Sequence, residues 1–282
     1  VKISKIELTR EDILSVPANE RVFLIYAGHA LNELNILSRM VVFSMPIRRG
    51  EAERQIMVGQ SQVFLRLLAG KLHETSSLFE KTYYKSKVSM MVGNGLSDEV
   101  KATLKNLRRY FNKGNKAAIT AIRNLHAFHY DPEQVDVGLM KLDPRMTLDI
   151  YFDEKSANTF YGFADSVINS AVMTSIDREN HSDAFKTLLS DIERITQSFQ
   201  LVLEALIEQI VMKRLPHRFT KQALSHEQAQ STEWAKIVLP TFVENPAPWS
   251  VTLHNGKVLR WGGQRVEGPK FLTSLLEKKE AR

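Results

Sequence analysis

A chain of 282 residues, 43% hydrophobic and 25% charged, has the length and composition for a sizeable core in one large domain or two ordinary ones. With no cysteine it can form no disulfide, thiolate nucleophile or cysteine-ligated zinc, and a reducing cytoplasm is the expected home. No apolar run approaches the roughly 18 to 20 residues of a transmembrane helix, and the start lacks a basic-then-apolar signal pattern, so no membrane partner is expected.

The net charge of +6 is unevenly placed. Residues 213–282 carry 12 Lys and Arg against 6 Asp and Glu, while 1–212 are balanced at 26 of each. Within that balanced body, residues 100–130 contain no acid at all, yet include Lys101, Lys105, Arg108, Arg109, Lys113, Lys116 and Arg123. An acid-free basic stretch attracts polyanions, which makes the first six of these candidate polyanion-binding residues. The alternative is a solvated helix face whose charges pair with acids elsewhere in the fold.

In chain order, residues 18–44 predict a long helix ended by Pro46, with Phe23, Ala27, Ala30, Leu34, Leu37 and Val41 spaced alternately four and three as a packing seam. His29, Asn32 and Glu33 interrupt it as i+3 and i+4 neighbours, a hydrogen-bonded polar patch or a candidate cleft wall. Residues 51–82 predict a second long helix and 90–95 a glycine-punctuated loop. Ser97-Asp98-Glu99 is a good helix start, with a capping side chain and acids in the first turn, and Val100, Leu104, Leu107 and Phe111 give the third helix its buried stripe. Asn112-Lys113-Gly114 is short enough to fold the next helix back against it.

That next helix, 115–132, carries the chemistry. Ala118, Ile122, Leu125 and Phe128 predict one inward face, and Pro132 sets the end. Arg123, His126 and His129 fall within about 120° around the axis, so a guanidinium and two imidazoles share one side. Beyond it, 131–145 reads as a loop, 147–152 as a short strand, 155–176 as a helix and 182–214 as the cleanest helical stripe in the chain. From 215 onward prolines break the pattern, and Asn255-Gly256 between 250–253 and 258–261 predicts a hairpin. The expected architecture is therefore mainly α: an antiparallel helical bundle over 1–214, followed by a small, basic, mixed appendage over 215–282.

An arginine followed by a histidine after four to six residues arises about once or twice by chance in a chain of this composition. Here it occurs as Arg66…His73 and as Arg123…His129. Context separates them, because Arg123 is followed by Asn124, closes the acid-free stretch and has His126 between. His126, His129 and Asp131 are a poor metal set, with i+3 histidines and no second ligand cluster. Val92-Gly93-Asn94-Gly95 lacks the lysine of a phosphate-binding loop, and no nucleophile elbow is present. No cofactor is implied.

The run Arg123-Asn124-Leu125-His126-Ala127-Phe128-His129, on a late helix after two long ones and a shorter one, resembles the HEPN superfamily of helical ribonucleases and nucleotide-binding proteins. The resemblance spans roughly residues 18–214. It implies metal-independent cleavage of RNA, often in toxin or phage-defence roles. Arg123 would hold the scissile phosphate, His129 would move protons, Asn124 would orient the site, and His126 would be a helper or alternative base. It also implies a homodimer whose two sites face one cleft, with His29, Asn32 and Glu33 as a wall, and a cognate inhibitor or regulatory partner. A non-catalytic helical module binding RNA or protein is the alternative. In a purely structural reading, the histidines would stabilise a helix C-terminus and Arg123 would pair with an acid such as Glu33.

Overall fold

The computed structural model describes residues 1–45, 50–114, 117–124, 132–152, 158–220, 223–233, 236–237, 239–242, 249–252 and 257–261. The fold is mainly α. In order, the elements are β1 (Lys2–Ile6), α1 (Arg10–Ser15), α2 (Ala18–Phe43), α3 (Glu51–Thr82), α4 (Lys87–Val92), α5 (Asp98–Phe111), α6 (Ala118–Ile122), α7 (Pro132–Met140), α8 (Gly162–Ile176), α9 (His181–Arg214), β2 (Leu224–Gln228), β3 (Trp249–Thr252) and β4 (Val258–Trp261). No helix among the described residues is long and apolar enough to cross a membrane.

Local chemistry sets most helix starts. Thr9 and Asp12 form a reciprocal capping box on α1, Ser97 accepts from the Val100 N–H at the start of α5, and Asn180 accepts from the Asp183 N–H at the start of α9. Acids open α5 and Arg108 and Arg109 close it, in the sense the helix dipole favours. Gly114, at φ 56°, makes the turn that ends the α5 connection, a conformation side-chain-bearing residues avoid.

The core lies where α2, α3, α5 and α9 meet. Phe79 is its aromatic centre, with ring centroids 6.0 Å from Phe23, 5.6 Å from Tyr83 and 5.7 Å from Phe199. Leu34, Leu72, Leu188, Ile195, Leu203 and Leu206 are likewise fully buried around it. At one end the chain termini of the bundle are riveted by charge. The Arg214 guanidinium donates to both Glu20 oxygens at 2.6 Å, and Asp12 meets Arg218 at 2.9 Å and His217 at 3.2 Å. The Thr9 N–H and Arg218 hold the Asp12 carboxyl well below the usual carboxylate range.

Several elements differ from the sequence pattern. Residues 132–140 are helix α7, not loop: Pro132 sits at its first position, where the missing N–H is harmless; whether the preceding helix reaches it falls on 125–131, outside the described residues. The expected loop at 90–95 is partly α4 and a 3-10 turn, Gly93–Gly95. The strand expected at 147–152 is reduced to a bridge between Tyr151 and Phe160, and the helix expected from 155 begins at Gly162. Residues after Arg214 start against the bundle. Leu215 is fully buried, and β2 pairs antiparallel with β1 in the register Lys2 to Gln228 and Ile6 to Leu224. Strands β3 and β4 pair antiparallel with Thr252 opposite Val258, leaving five connecting residues centred on Asn255; the turn itself, 253–256, lies outside the described residues.

Candidate functional site

The site is built from α6 outward. All five residues of Ala118–Ile122 are buried, because α6 packs on α3, α8 and α9 at once. The single inward face expected from Ala118 and Ile122 is thus an enclosed helix. Its start is fixed by Tyr110, whose hydroxyl accepts from the Ile119 N–H at 3.3 Å and donates to Asp191 at 2.7 Å. One of the unpaired N–H groups of a helix N-terminus is satisfied in this way, and burial plus the Asp191 carboxylate push the phenol up and keep it neutral. Arg123 and Asn124 follow in the wider π winding, a departure frequent at functional sites.

This rigid plug delivers Arg123 to the edge of the bundle. Its Nε and Nη2 donate to Oε1 of Glu74 on α3 at 3.3 and 3.1 Å, and Nη1 donates to Oδ1 of Asn124 at 3.2 Å. The carboxylate partner is therefore Glu74, not Glu33. The Arg123 side chain keeps 33% of its surface exposed, and Glu74 44%. A guanidinium held by a carboxylate yet open on one side is oriented for an incoming anion.

His73 stands beside this pair. Its Nδ1 is buried without a hydrogen-bond partner among the described residues and lies 4.0 Å from the same Glu74 oxygen. Its ring meets Phe111 edge-on at 6.0 Å. Burial first, and then the Arg123 charge, lower its pKa, so the imidazole is neutral near pH 7. One residue from each of the two Arg…His patterns thus converges on Glu74. Glu74 is the residue that sequence reasoning missed, and His73 is set aside there with the Arg66 pattern. The available signal was indirect: a charged residue in an acid-free stretch must find its counter-charge elsewhere in the chain.

Glu74 also lines a cleft of about 400 Å³ between α2 and α3, with Tyr26, His29, Glu33, Lys71 and Lys81. His29 and Glu33 are thus a wall adjoining the Arg123 site, linked by a 3.3 Å contact, with Lys71 on Glu33 at 2.9 Å. Asn32 is absent from the lining and sits on the neighbouring exposed face.

The basic stretch occupies the outer face of α5. Lys101, Lys105, Arg108, Arg109 and Lys113 are all exposed. Arg108 meets Glu80 of α3 at 3.3 Å and stacks over Tyr84 at 4.8 Å, where burial pushes the Tyr84 hydroxyl up to about 12. Lys101 lies 3.9 Å from Asp98 and Arg109 3.4 Å from Asn106. Arg108 and Arg123 therefore anchor to one helix at positions about 9 Å apart along its axis. Lys116, His126 and His129, with Asp131, lie outside the described residues, so the expected second half of the Arg–His pattern is not located.

Arg66 serves a different purpose. It reaches α8, donating to Asn169 Oδ1 at 2.7 Å and lying 3.8 Å from Asp165. Asp165 and Asn169 border a second cavity of about 310 Å³ with Glu51, Arg54, Gln55 and Phe160. No protein-family model, curated protein or solved structure matches the chain.

Proposed function

We propose that this chain is a metal-independent endoribonuclease, as the resemblance to the HEPN superfamily implies, with Arg123 as its phosphate-binding group. One observation carries the reading. The Arg123 guanidinium is fixed by an enclosed helix, by Glu74 and by Asn124, while a third of its side chain stays open, and the exposed cations of α5 belong to the same acid-free stretch, 100–130. Arginine's planar fork suits two phosphate oxygens, and preorganisation lets it stabilise the charge that gathers on them during cleavage.

In this reading His129, with His126 as helper, supplies proton transfer. The ribose 2′-oxygen attacks phosphorus, its proton passes to an imidazole, and the bond to the 5′-oxygen breaks as that oxygen gains a proton. The products are a 2′,3′-cyclic phosphate and a 5′-hydroxyl. Lys101, Lys105, Arg108, Arg109, Lys113 and Lys116 bind the RNA backbone. Two copies would bring two such sites to a shared cleft, and a toxin or phage-defence role with a cognate inhibitor follows from the same resemblance.

The test is RNA cleavage in EDTA by wild type, Arg123→Ala and His129→Ala, with end-group analysis. Loss of cleavage by roughly a hundredfold or more in both variants, with circular dichroism unchanged, is the expected result. Equal activity in the variants overturns the reading.

A second reading is favoured by the pairing of Arg123 with Glu74, a complete ion pair without any ligand: a non-catalytic module that binds RNA through α5. It expects salt-dependent binding that survives His129→Ala, and no cleavage by wild type.

A further inference from the structure

Helix α2 is 26 residues long, and its inner face is consumed by the core. Its outer face is not. Val22, Ile25 and Ile36 are 44%, 53% and 48% exposed, and no described residue covers them. Scattered exposed aliphatics need no explanation, but these lie on a seam. Ala18, Val22, Ile25, His29, Asn32, Ile36, Arg39 and Phe43 follow one another at alternating intervals of four and three, from the first residue of the helix to the last. All but the half-buried Phe43 are exposed. That is the period of a helix that meets another helix along its length.

We propose that this seam is where two copies of the chain meet, α2 against α2, antiparallel about a two-fold axis passing between residues 30 and 31. The sequence of the seam is complementary to itself in that arrangement. Ile25 meets Ile36 of the second copy, His29 meets Asn32, Val22 receives the aliphatic stem of Arg39, and Ala18 faces Phe43. Apolar positions meet apolar ones, and the two hydrogen-bonding residues meet each other at the centre, where a polar pair fixes register. A parallel pairing would set Arg39 against Arg39 and His29 against His29, which like charge disfavours whenever the imidazoles are protonated. The axis also falls at the midpoint of the helix, so the two copies overlap over its whole length, about 39 Å.

This arrangement gives Asn32 a role that its own subunit does not. His29 lies both on the seam and on the rim of the α2–α3 cleft that contains Glu74. Asn32 of the second copy then closes that rim, and the two clefts lie on either side of one axis. The inference deepens the pairing of subunits within the proposed function, but its test reads association alone and fails or succeeds independently of RNA cleavage. A two-helix contact of this length buries on the order of 1,000 Å², near the lower limit for specific interfaces, so association is expected to depend on concentration.

The absence of cysteine makes the test clean. Ile25→Cys and Ile36→Cys are purified separately, mixed at about 100 μM, and oxidised with copper-phenanthroline, alongside each variant alone. The expected result is a covalent dimer in the mixture and none in either variant alone. In the antiparallel pairing, residue 25 lies about 16 Å along the axis from its own counterpart, beyond the roughly 7 Å Cα separation that a disulfide spans. Cross-linking of either variant with itself, or none in the mixture, overturns the proposal. Sedimentation equilibrium of wild type and Ile36→Glu supplies the second readout. Wild type is expected to dimerise and the variant to be at least tenfold weaker with unchanged circular dichroism. A monomeric wild type at 100 μM, or an unaffected variant, overturns it.

Discussion

Helix α3 meets two arginines from opposite circumstances. Arg66 is its own, 13% exposed, and reaches outward to Asp165 and Asn169 of α8. Arg123 comes from α6 and reaches back to Glu74, about 12 Å further along the same helix, with 33% of its side chain exposed. Both have carboxylate partners, and both begin an Arg…His pattern. They differ in what surrounds the carboxylate. Burial raises the pKa of Asp165, with Arg66 opposing that rise, whereas Glu74 is exposed, although each carboxylate borders a cavity. The first pair is a strut between helices, held because removing one charge strands the other. The second holds a guanidinium in place without enclosing it. Under the proposed function, accessibility of the pair, more than its existence, is what separates a phosphate-binding arginine from a structural one.

The largest effect expected from this contrast is on folding stability at Arg66. Arg66→Ala removes the charge facing half-buried Asp165 and leaves Asn169 without its 2.7 Å donor, a loss of about 2 to 4 kcal/mol by urea unfolding at pH 7. Its pH dependence carries a sign. A carboxyl with a raised folded pKa binds more protons folded than unfolded, so stability falls as pH rises above the ordinary value of about 3.9. Without Arg66 that rise in pKa is larger, so the deficit of the variant should be greater at pH 7 than at pH 5. An Arg66→Ala protein as stable as wild type at both pH values would remove the distinction between the two arginines.

The second effect is the mirror image. Arg123→Ala breaks a part-exposed ion pair and is expected to lower stability by less than about 1 kcal/mol, while RNA binding or cleavage falls steeply. Glu74→Gln keeps the shape and removes the charge. Arg123 then loses its fixed orientation but becomes electrostatically freer, so RNA affinity should change less than in Arg123→Ala. Filter binding at two salt concentrations, together with urea midpoints, checks both. If Arg123→Ala is as destabilising as Arg66→Ala, Arg123 is a strut too.

How far this contrast was legible in the sequence depends on range. Capping residues and heptad spacing are local, and the extents of α2, α3 and α5 follow from Pro46, Ser97 and the apolar stripes, while α9, expected from Ser182, starts at His181 with Asn180 as its cap. Pro132 reads as a helix stop, but it is the first residue of α7, a position that proline's fixed φ and missing N–H also suit. The enclosure of α6 was hidden because five residues of Ala118–Ile122 are too few for periodicity to tell an amphipathic helix from a buried one. The partner of Arg123 lies 49 residues away, and the β1–β2 ladder joins residues more than 200 apart. Such contacts are set by packing, which no spacing rule reports. Arg66…His73 shows the same limit: no spacing rule reports that His73 lands beside the Arg123–Glu74 pair.

His73 gives the smallest and sharpest prediction. Its pKa is lowered by burial and by Arg123, and Glu74 opposes both. A base with a lowered folded pKa binds fewer protons folded than unfolded, so stability is fully present above the unfolded value of about 6.5 and declines as pH falls below it toward the folded pKa. Urea midpoints at pH 7.0 and 5.5 should therefore differ more in wild type than in His73→Gln, which cannot titrate. Arg123→Ala should fall between them, because removing that charge relieves one of the two causes and leaves burial. Equal slopes in wild type and His73→Gln would mean that His73 is solvated and does not share the Glu74 carboxylate with Arg123. The cluster would then reduce to the Arg123–Glu74 pair alone, and the contrast with Arg66 would rest on exposure without a half-buried imidazole to mark the site.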